Sequence, residues 1–599
     1  MLTAYHGGKH FLFTKMSIWK VYAKKADFKK IGEKFGIDQV VARIIRNRGI
    51  TEDSQFEEYL YGTVKELSSP LLMKDMETAV FLIKEAIASR KKIRIVGDYD
   101  IDGICSIYIL HTGLKSMGAV VDYVVPDRIT DGYGINENII KRAYDDGIEF
   151  IITCDNGIAA AEAVAYAKLL GMTVVVTDHH DIPFVIGEDG GKEHFLPTAD
   201  AVINPKQPGC RYPFKELCGA AVAWQLIAAL RTSDASEDAM LGHLMEFAAI
   251  ATVGDIVSLQ GENRIMVKYG LRHIHAGTSN VGLRVLMKEC GVSENEFNAY
   301  HIGFVVGPCL NASGRLDSAA KSIKLLETKD EGEAERLAKE LKQLNDERKT
   351  MTEKGFLDAC MAIDAEYGMN IPDVIVVYIQ GCHESIAGII AGRIREKYYR
   401  PALIFTDSIG DDRFYKGSGR SVEGYDMFAK ISECESMLSK FGGHPMAAGM
   451  SIEKGSFLAF KEKLIKNAAL SKEVLTPVTW IDVPMPLDYV TEELVAQLTL
   501  LEPFGKDNQK PVFADKNLTV IRKNVIGKNA NVMKLTLRTQ SRRVFDAVKF
   551  RAGDEIDMIN EGDIISIVYY PDINTYNGRR SLQITIIEME KQNNTAAVK

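Results

Sequence analysis

Ile93-Arg94-Ile95-Val96-Gly97-Asp98-Tyr99-Asp100-Ile101-Asp102-Gly103 is a β-branched run that ends on three acids at alternate positions. A strand followed by carboxylates is the opening of an α/β unit, because in open parallel sheets the loops beyond the strands' carboxyl ends carry the chemistry. The pattern repeats downstream. Phe150 to Thr153 leads into Cys154-Asp155-Asn156-Gly157, and Val174 to Thr177 leads into Asp178-His179-His180. Ala201 to Ile203 is a further short run, and helical stretches separate them all, which predicts a parallel sheet wrapped by helices. Asp255, in Thr252-Val253-Gly254-Asp255-Ile256-Val257, follows the helical pattern of Leu244 to Ala251.

Asp caps helices and fills turns cheaply, so one such motif says little. Three neighbouring carboxylates are different: in an extended segment Asp98, Asp100 and Asp102 face one way and repel unless cations lie between them. Carboxylate oxygens suit Mg²⁺ and Mn²⁺, and neutral imidazole adds affinity for Mn²⁺, so the mixed set points to metal-assisted attack on a phosphate. Consecutive side chains leaving a strand diverge, which predicts that at most one of His179 and His180 ligates metal while the other reaches substrate.

The rest of the 599 residues divides by pattern. Residues 1–70 form an N-terminal helical region, with helical spacing from Asp38 to Leu60, and 71–330 form the first α/β lobe. A long amphipathic helix at 331–366 connects it to a second, smaller α/β lobe at 367–472, where Val374 to Ile379 and Ala402 to Phe405 read as strands around a helix from Ser385 to Tyr398. Its glycine-rich stretches, Lys416-Gly417-Ser418-Gly419-Arg420-Ser421 and Gly442-Gly443-His444-Pro445, read as loops. From 473 to 599 short alternating strands (Val532 to Leu537, Arg543 to Phe550, Ile564 to Tyr570, Leu582 to Ile587) fit an oligonucleotide-binding β-barrel. Lys516 to Arg551 holds ten Lys or Arg against one acid, Asp546, a local cationic patch in a chain of net charge −8.

The nine cysteines occur singly, with no Cys-x-x-Cys pair, so reduced thiols are expected rather than a disulfide framework or zinc ribbon. No apolar stretch reaches the roughly eighteen residues of a membrane span, and Phe11-Leu12-Phe13 is too brief for a signal-peptide core, so a cytoplasmic protein is expected, with Met16 a candidate true start.

The set Gly97 to Gly103, Asp155-Asn156-Gly157-Ile158, Asp178-His179-His180 and Asp255 resembles the DHH phosphoesterases, and within them the bacterial single-strand-specific 5′ exonucleases. Pro126-Asp127-Arg128, Leu310-Asn311-Ala312-Ser313-Gly314-Arg315, His383-Glu384, Ser418-Gly419-Arg420-Ser421, Gly442 to Gly449 and Pro503-Phe504-Gly505 extend the likeness from about Asp38 to the barrel. The resemblance implies two lobes, a DHH and a DHH-associated domain. It implies two divalent cations, Mn²⁺ or Mg²⁺: one held by Asp100 and Asp155, the other by Asp102, Asp155, His179 and Asp255, with Asp98 in support and His180 acting on the phosphate. Arg128, Ser418 and Arg420 would hold the 5′ end, while Arg315 and His444 would touch the scissile phosphate or nearby backbone. Two departures stand out: Val96 where many relatives carry a metal-binding His, and Cys309 where Arg is common.

The implied activity is a processive 5′→3′ exonuclease on single-stranded DNA that releases mononucleotides in repair and recombination, a monomer with a helicase and a single-strand-binding protein as partners. Two alternatives remain at this point. One is a phosphoesterase of short substrates such as dinucleotides or pyrophosphate, and the other a non-catalytic DNA-binding scaffold.

Overall fold

A computed structural model describes residues 17–127, 131–132, 134–187, 191–231, 237–527, 530–576 and 579–592; the expectation about Met16 lies outside them. Five parallel strands make the first sheet: β1 (Lys92–Val96), β2 (Val120–Val124), β3 (Phe150–Cys154), β4 (Thr173–Thr177) and β5 (Ala201–Ile203), in the order β2-β1-β3-β4-β5. β3 is buried along its whole length because helices cover both faces, which is why its sequence is continuously apolar rather than alternating. Chain order reverses between β1 and β3, and that crevice is where such sheets bind ligands. The loops carrying Asp98–Asp100 and Asp155 leave β1 and β3 on either side of it.

Helices α1 (Ile101–Ser116), α2 (Gly219–Arg231), α3 (Ala239–Gly254), α4 (Val281–Glu289) and α5 (Gly307–Leu316) complete the part of this lobe that matters here. A π-helical turn, Ile302–Val306, runs straight into α5, and such turns cluster at functional sites.

The connecting helix α6 runs 37 residues, Glu331–Tyr367. Its first turns bury Ala334, Leu337, Ala338 and Leu341 in the core of the first lobe, and its last bury Ala359, Cys360 and Ile363 in that of the second. One amphipathic helix therefore belongs to two cores. The second lobe is a mixed sheet of β6 (Ile375–Tyr378), β7 (Ala402–Asp407), β8 (Phe414–Arg420), β9 (Lys440–His444) and β10 (Ala447–Glu453), ordered β9-β10-β8-β7-β6, with α7 (Glu384–Tyr398) on one face. The glycine-rich stretches expected as loops are thus mostly strands, β8 and β9.

The C-terminal strands close into a barrel: Phe513–Ile526 pairs with Val532–Arg538 on one side and with Ile564–Tyr576 on the other. The N-terminal helices Gln39–Asn47 and Asp53–Tyr61 are not a separate unit. Val41, Ile44, Ile45, Phe56 and Leu60 share one core with barrel residues such as Phe513, Leu535 and Ile567. Among the described residues no helix is long and apolar enough to cross a membrane.

Candidate metal centre

Asp98 and Asp100 lie in the loop after β1, but Asp102 does not continue an extended segment. The chain has turned into α1, whose first residue is Ile101. Asp100 is the N-cap, its Oδ1 accepting from the N–H groups of Asp102 (3.0 Å) and Gly103 (3.1 Å), so a residue of the acid cluster also caps the helix. Asp102, fully buried, accepts from the N–H of Gly219 on Oδ2 and of Ala220 on Oδ1, both at 2.7 Å. The start of α2 thereby fixes it.

Asp155 adopts φ +60, the left-handed region that a non-glycine residue occupies at a cost. Its neighbour Asn156 holds the turn: the side-chain amide donates to the carbonyls of Val96 (3.0 Å) and Cys154 (2.8 Å), and Oδ1 accepts from Ile135 N–H (3.2 Å). Asp255 caps the C-terminus of α3.

These elements bring the donors together. His179 Nε2 lies 3.1 Å from Asp155 Oδ1, 3.5 Å from Asp102 Oδ2 and 3.8 Å from Asp255 Oδ2. Among the described residues three sets of donor atoms, each within 4.8 Å of one another, could hold a metal: Asp98, Asp100 and Asp155; Asp102, His179 and Asp255; and Asp155, His179 and His180. Asp155 belongs to two of them. The electrostatics agree with a cation-binding role. Burial, followed by the charges of Asp102, Asp100, Asp98 and Asp255, holds the Asp155 carboxyl well above its usual pKa. Burial and then Asp102 and Asp100 push Asp255 up to about 8, and the same two influences, burial and Asp102, raise Asp100. Carboxyls this crowded ionise together only around positive charge. His179 is lowered by its burial, which leaves the neutral, ligating form in place.

The two imidazoles do not diverge; their rings lie 4.4 Å apart, and His180 Nδ1 is 3.9 Å from Asp155 Oδ1. They differ instead in their ring partners, and that of His180 is Asp178, which the sequence reading left without a role. Its Oδ1 accepts from the N–H groups of His179 (2.7 Å) and His180 (3.1 Å) and pairs with His180 Nδ1 (2.8 Å), and its Oδ2 accepts from Ile158 N–H (2.9 Å). Burial works against both charges, yet the hydrogen bond and charge of the partner hold Asp178 down at about 2 and lift His180 to about 9. Asn204, also missed, donates to the His180 carbonyl (2.9 Å) and accepts from Lys206 N–H (2.8 Å). An Asn directly after the short apolar run Ala201 to Ile203 was the available signal.

In the second lobe, Ser418 and Arg420 share one face of β8, with Arg420 Nη1 at 3.4 Å from Ser418 Oγ and 2.8 Å from the Gly419 carbonyl. Both side chains crowd Gly388 of α7, where a Cβ would stand 2.8 Å from Arg420 Nη2 and from Ser418 Oγ. Arg315, in α5 of the first lobe, donates to the Ser385 carbonyl at the start of α7 (2.9 Å) and so bridges the lobes. His444 is exposed at the end of β9. The hydrogen bond from Lys206 holds Asp181 below its ordinary pKa. Arg128 lies outside the described residues. Val96 is fully buried in the sheet's other core, and Cys309 contacts Cys290 and Asn345.

Residues 92–252 match the DHH family N-terminal domain, 372–470 the DHHA1 domain and 481–588 the RecJ OB domain. The chain is 36% identical over 572 residues to the single-stranded-DNA-specific exonuclease RecJ of Bacillus subtilis (strain 168), covering 95% of this chain and 70% of that one. It is 32% identical over 579 residues to the Haemophilus influenzae RecJ, with 94% and 97% covered. The crystal structure of RecJ in complex with Mn²⁺ from Thermus thermophilus superposes with a TM-score of 0.80 at 26% identity, covering 96% of this chain and 80% of that one, and the Mg²⁺ complex with 0.75 at 25%, covering 96% and 79%. A DHH lobe with its acids at the sheet's switch point, a DHHA1 lobe on the connecting helix and a RecJ-type barrel, in one chain and in that order, make this protein a member of the RecJ family.

Proposed function

We propose that the chain is a single-stranded-DNA-specific 5′→3′ exonuclease that hydrolyses phosphodiester bonds with divalent cations, Mn²⁺ or Mg²⁺, two per site, releasing 5′-mononucleotides in DNA repair and recombination. The observation that carries the reading is continuity. The acid cluster at the switch point, Arg315 bonded to Ser385, and Ser418 with Arg420 against Gly388 lie on successive packed elements, so a metal centre and an anion-binding face line one cleft.

Asp98, Asp100 and Asp155 would hold one cation and Asp102, Asp155, His179 and Asp255 the other. When bound, these ions neutralise phosphate charge and supply a hydroxide near neutral pH. His180, held protonated by Asp178, donates to a phosphate oxygen or to the departing 3′ oxygen. Arg420 offers a planar fork, and Ser418 a hydroxyl, to the terminal 5′ phosphate, which sets direction. The strand beyond the cleft meets the barrel, where Lys516, Arg522, Arg538, Arg542, Arg543 and Arg551 are exposed. Lys523 and Lys549 spend their ammonium groups on internal carbonyls, so the cationic face is smaller than the composition suggests. A helicase and a single-strand-binding protein as partners, and a monomeric state, belong to the same proposal.

Digestion of end-labelled single-stranded and duplex DNA across a Mn²⁺ and Mg²⁺ series tests it. Metal-dependent release of mononucleotides from the single strand's 5′ end is expected; equal activity on a dinucleotide alone, or none at all, would reject the reading. In the same assay Arg420→Ala should erase the preference for a 5′ phosphate over a 5′ hydroxyl, and a retained preference removes Arg420 from that role. Asp178→Asn leaves the metal donors in place but releases His180, and should lower kcat roughly 10–100-fold, the range for an outer-shell partner. Mn²⁺ affinity should hold; an unchanged kcat shows that Asp178 does not position His180.

A further inference from the structure

Among the nine cysteines two sulfur atoms approach each other in the first lobe. Cys290, the C-cap of α4, lies with its Sγ 3.8 Å from Sγ of Cys309 in the first turn of α5. Cys290 is partly exposed and Cys309 is 1% exposed. Polar groups surround the Cys309 sulfur, which donates to the Val305 carbonyl (3.3 Å). Asn345 of α6 donates its amide to Cys309 Sγ (3.3 Å), and Arg348 fixes that amide by donating to its Oδ1 (3.1 and 2.9 Å). The hydrogen bond from Cys290, then Asn345 and Lys349, hold the Cys309 thiol below its usual pKa against its burial.

We propose that Cys290 and Cys309 are a reversible dithiol–disulfide pair, oxidised by a peroxide, whose closure slows the enzyme. The Cys309 thiolate attacks one peroxide oxygen: an S–O bond forms, the O–O bond breaks, and the departing hydroxide takes the proton Cys309 had released and leaves as water. Cys290 then attacks the sulfenic sulfur; the S–S bond forms, the S–O bond breaks, and the second hydroxide leaves with the Cys290 proton as water. Two thiols and one hydrogen peroxide become one disulfide and two waters.

Closure draws the sulfurs roughly 2 Å nearer, to bonding distance, and so pulls on the start of α5. That helix is wedged into the machinery. Gly314 packs so tightly on the backbone of Tyr99, between Asp98 and Asp100, that a Cβ has no room there, and the next residue, Arg315, holds Ser385 of the other lobe. A shift of α5 therefore reaches both the metal loop and the lobe junction. A reducing cytoplasm keeps such a pair open, so the bond responds to an oxidant.

The test takes the full-length chain, reduced, freed of reductant and treated with hydrogen peroxide. Expected are a peptide linking Cys290 to Cys309 under non-reducing digestion, loss of two of nine thiols, and a several-fold drop in turnover on single-stranded DNA that dithiothreitol reverses. Cys290→Ser, at the more exposed position, should fold with an unchanged melting temperature and show neither the link nor the drop; Cys290→Ala serves as a second variant. No link, a link between other cysteines, a linked enzyme turning over at the reduced rate, or an equal drop in Cys290→Ser each overturns the proposal. The turnover readout rests on the nuclease reading, but the peptide link does not. Failure of the reduced protein to digest DNA would therefore count against that reading alone.

Discussion

Asp155→Asn is expected to remove metal-dependent hydrolysis to background, a loss well beyond the roughly 10–100-fold of an outer-shell substitution. Asp155 is shared by two of the three donor groups, so its carboxylate is the one change that weakens both proposed cation positions at once. Asparagine is the informative choice because it tolerates the left-handed backbone that Asp155 adopts at φ +60, whereas alanine would add strain to the lost charge. The same change should have the opposite effect on the metal-free fold. Four other acids raise the cost of ionising Asp155, so neutralising it relieves repulsion and the variant should melt no lower than the parent in chelator. The parent alone should then gain melting temperature on addition of Mn²⁺. Nucleotide release and melting in chelator and in Mn²⁺ check the two halves; a variant with parental turnover would show that the cluster is not the catalytic centre.

The acid cluster was legible in the sequence because each donor but Asp255 follows a buried strand, and a parallel sheet covered on both faces writes its strands as apolar runs. Where burial is partial the signal faded. Val120–Val124 is an edge strand whose residues are exposed or half-buried, and it escaped notice. Glycine misled in the second lobe: Gly417 and Gly419 looked like loop residues, but they lie in mid-strand because Phe405 and Met427 pack over their bare backbone. Period-two reasoning put Asp98, Asp100 and Asp102 on one side of an extended segment, whereas the chain turns into α1 at Ile101 and Asp102 joins His179 and Asp255 instead. Asp178 could not be assigned from sequence, as its role lies in four hydrogen bonds that only the folded loop creates. The Cys290–Cys309 contact was equally hidden, because cysteines 19 residues apart carry no spacing signal.

The least legible feature was the union of the two chain ends, and it yields the largest expected effect on stability. Asp482 and Arg48 form an ion pair at 2.8 Å with side chains only 3% and 4% exposed. The Asp482 carboxylate also accepts from Asn47 Nδ2 (3.3 Å) and Val512 N–H (3.1 Å), while Arg48 Nη2 donates to the Gln509 carbonyl (2.9 Å). The pair thus ties the helix Gln39–Asn47 to the barrel strands at the floor of their shared core. Removing one partner strands the other charge without water, which costs about 3–5 kcal/mol. Asp482→Ala should accordingly lower the melting temperature of the barrel and N-terminal helices by on the order of 10 °C. Replacing both residues with apolar ones of similar volume should recover much of that loss, because the penalty lies in the orphaned guanidinium and not in a large net attraction. Scanning calorimetry of the single and double variants decides: a double variant as unstable as Asp482→Ala would mean that the hydrogen bonds to Asn47 and Val512, rather than the charge pair, hold the two ends together.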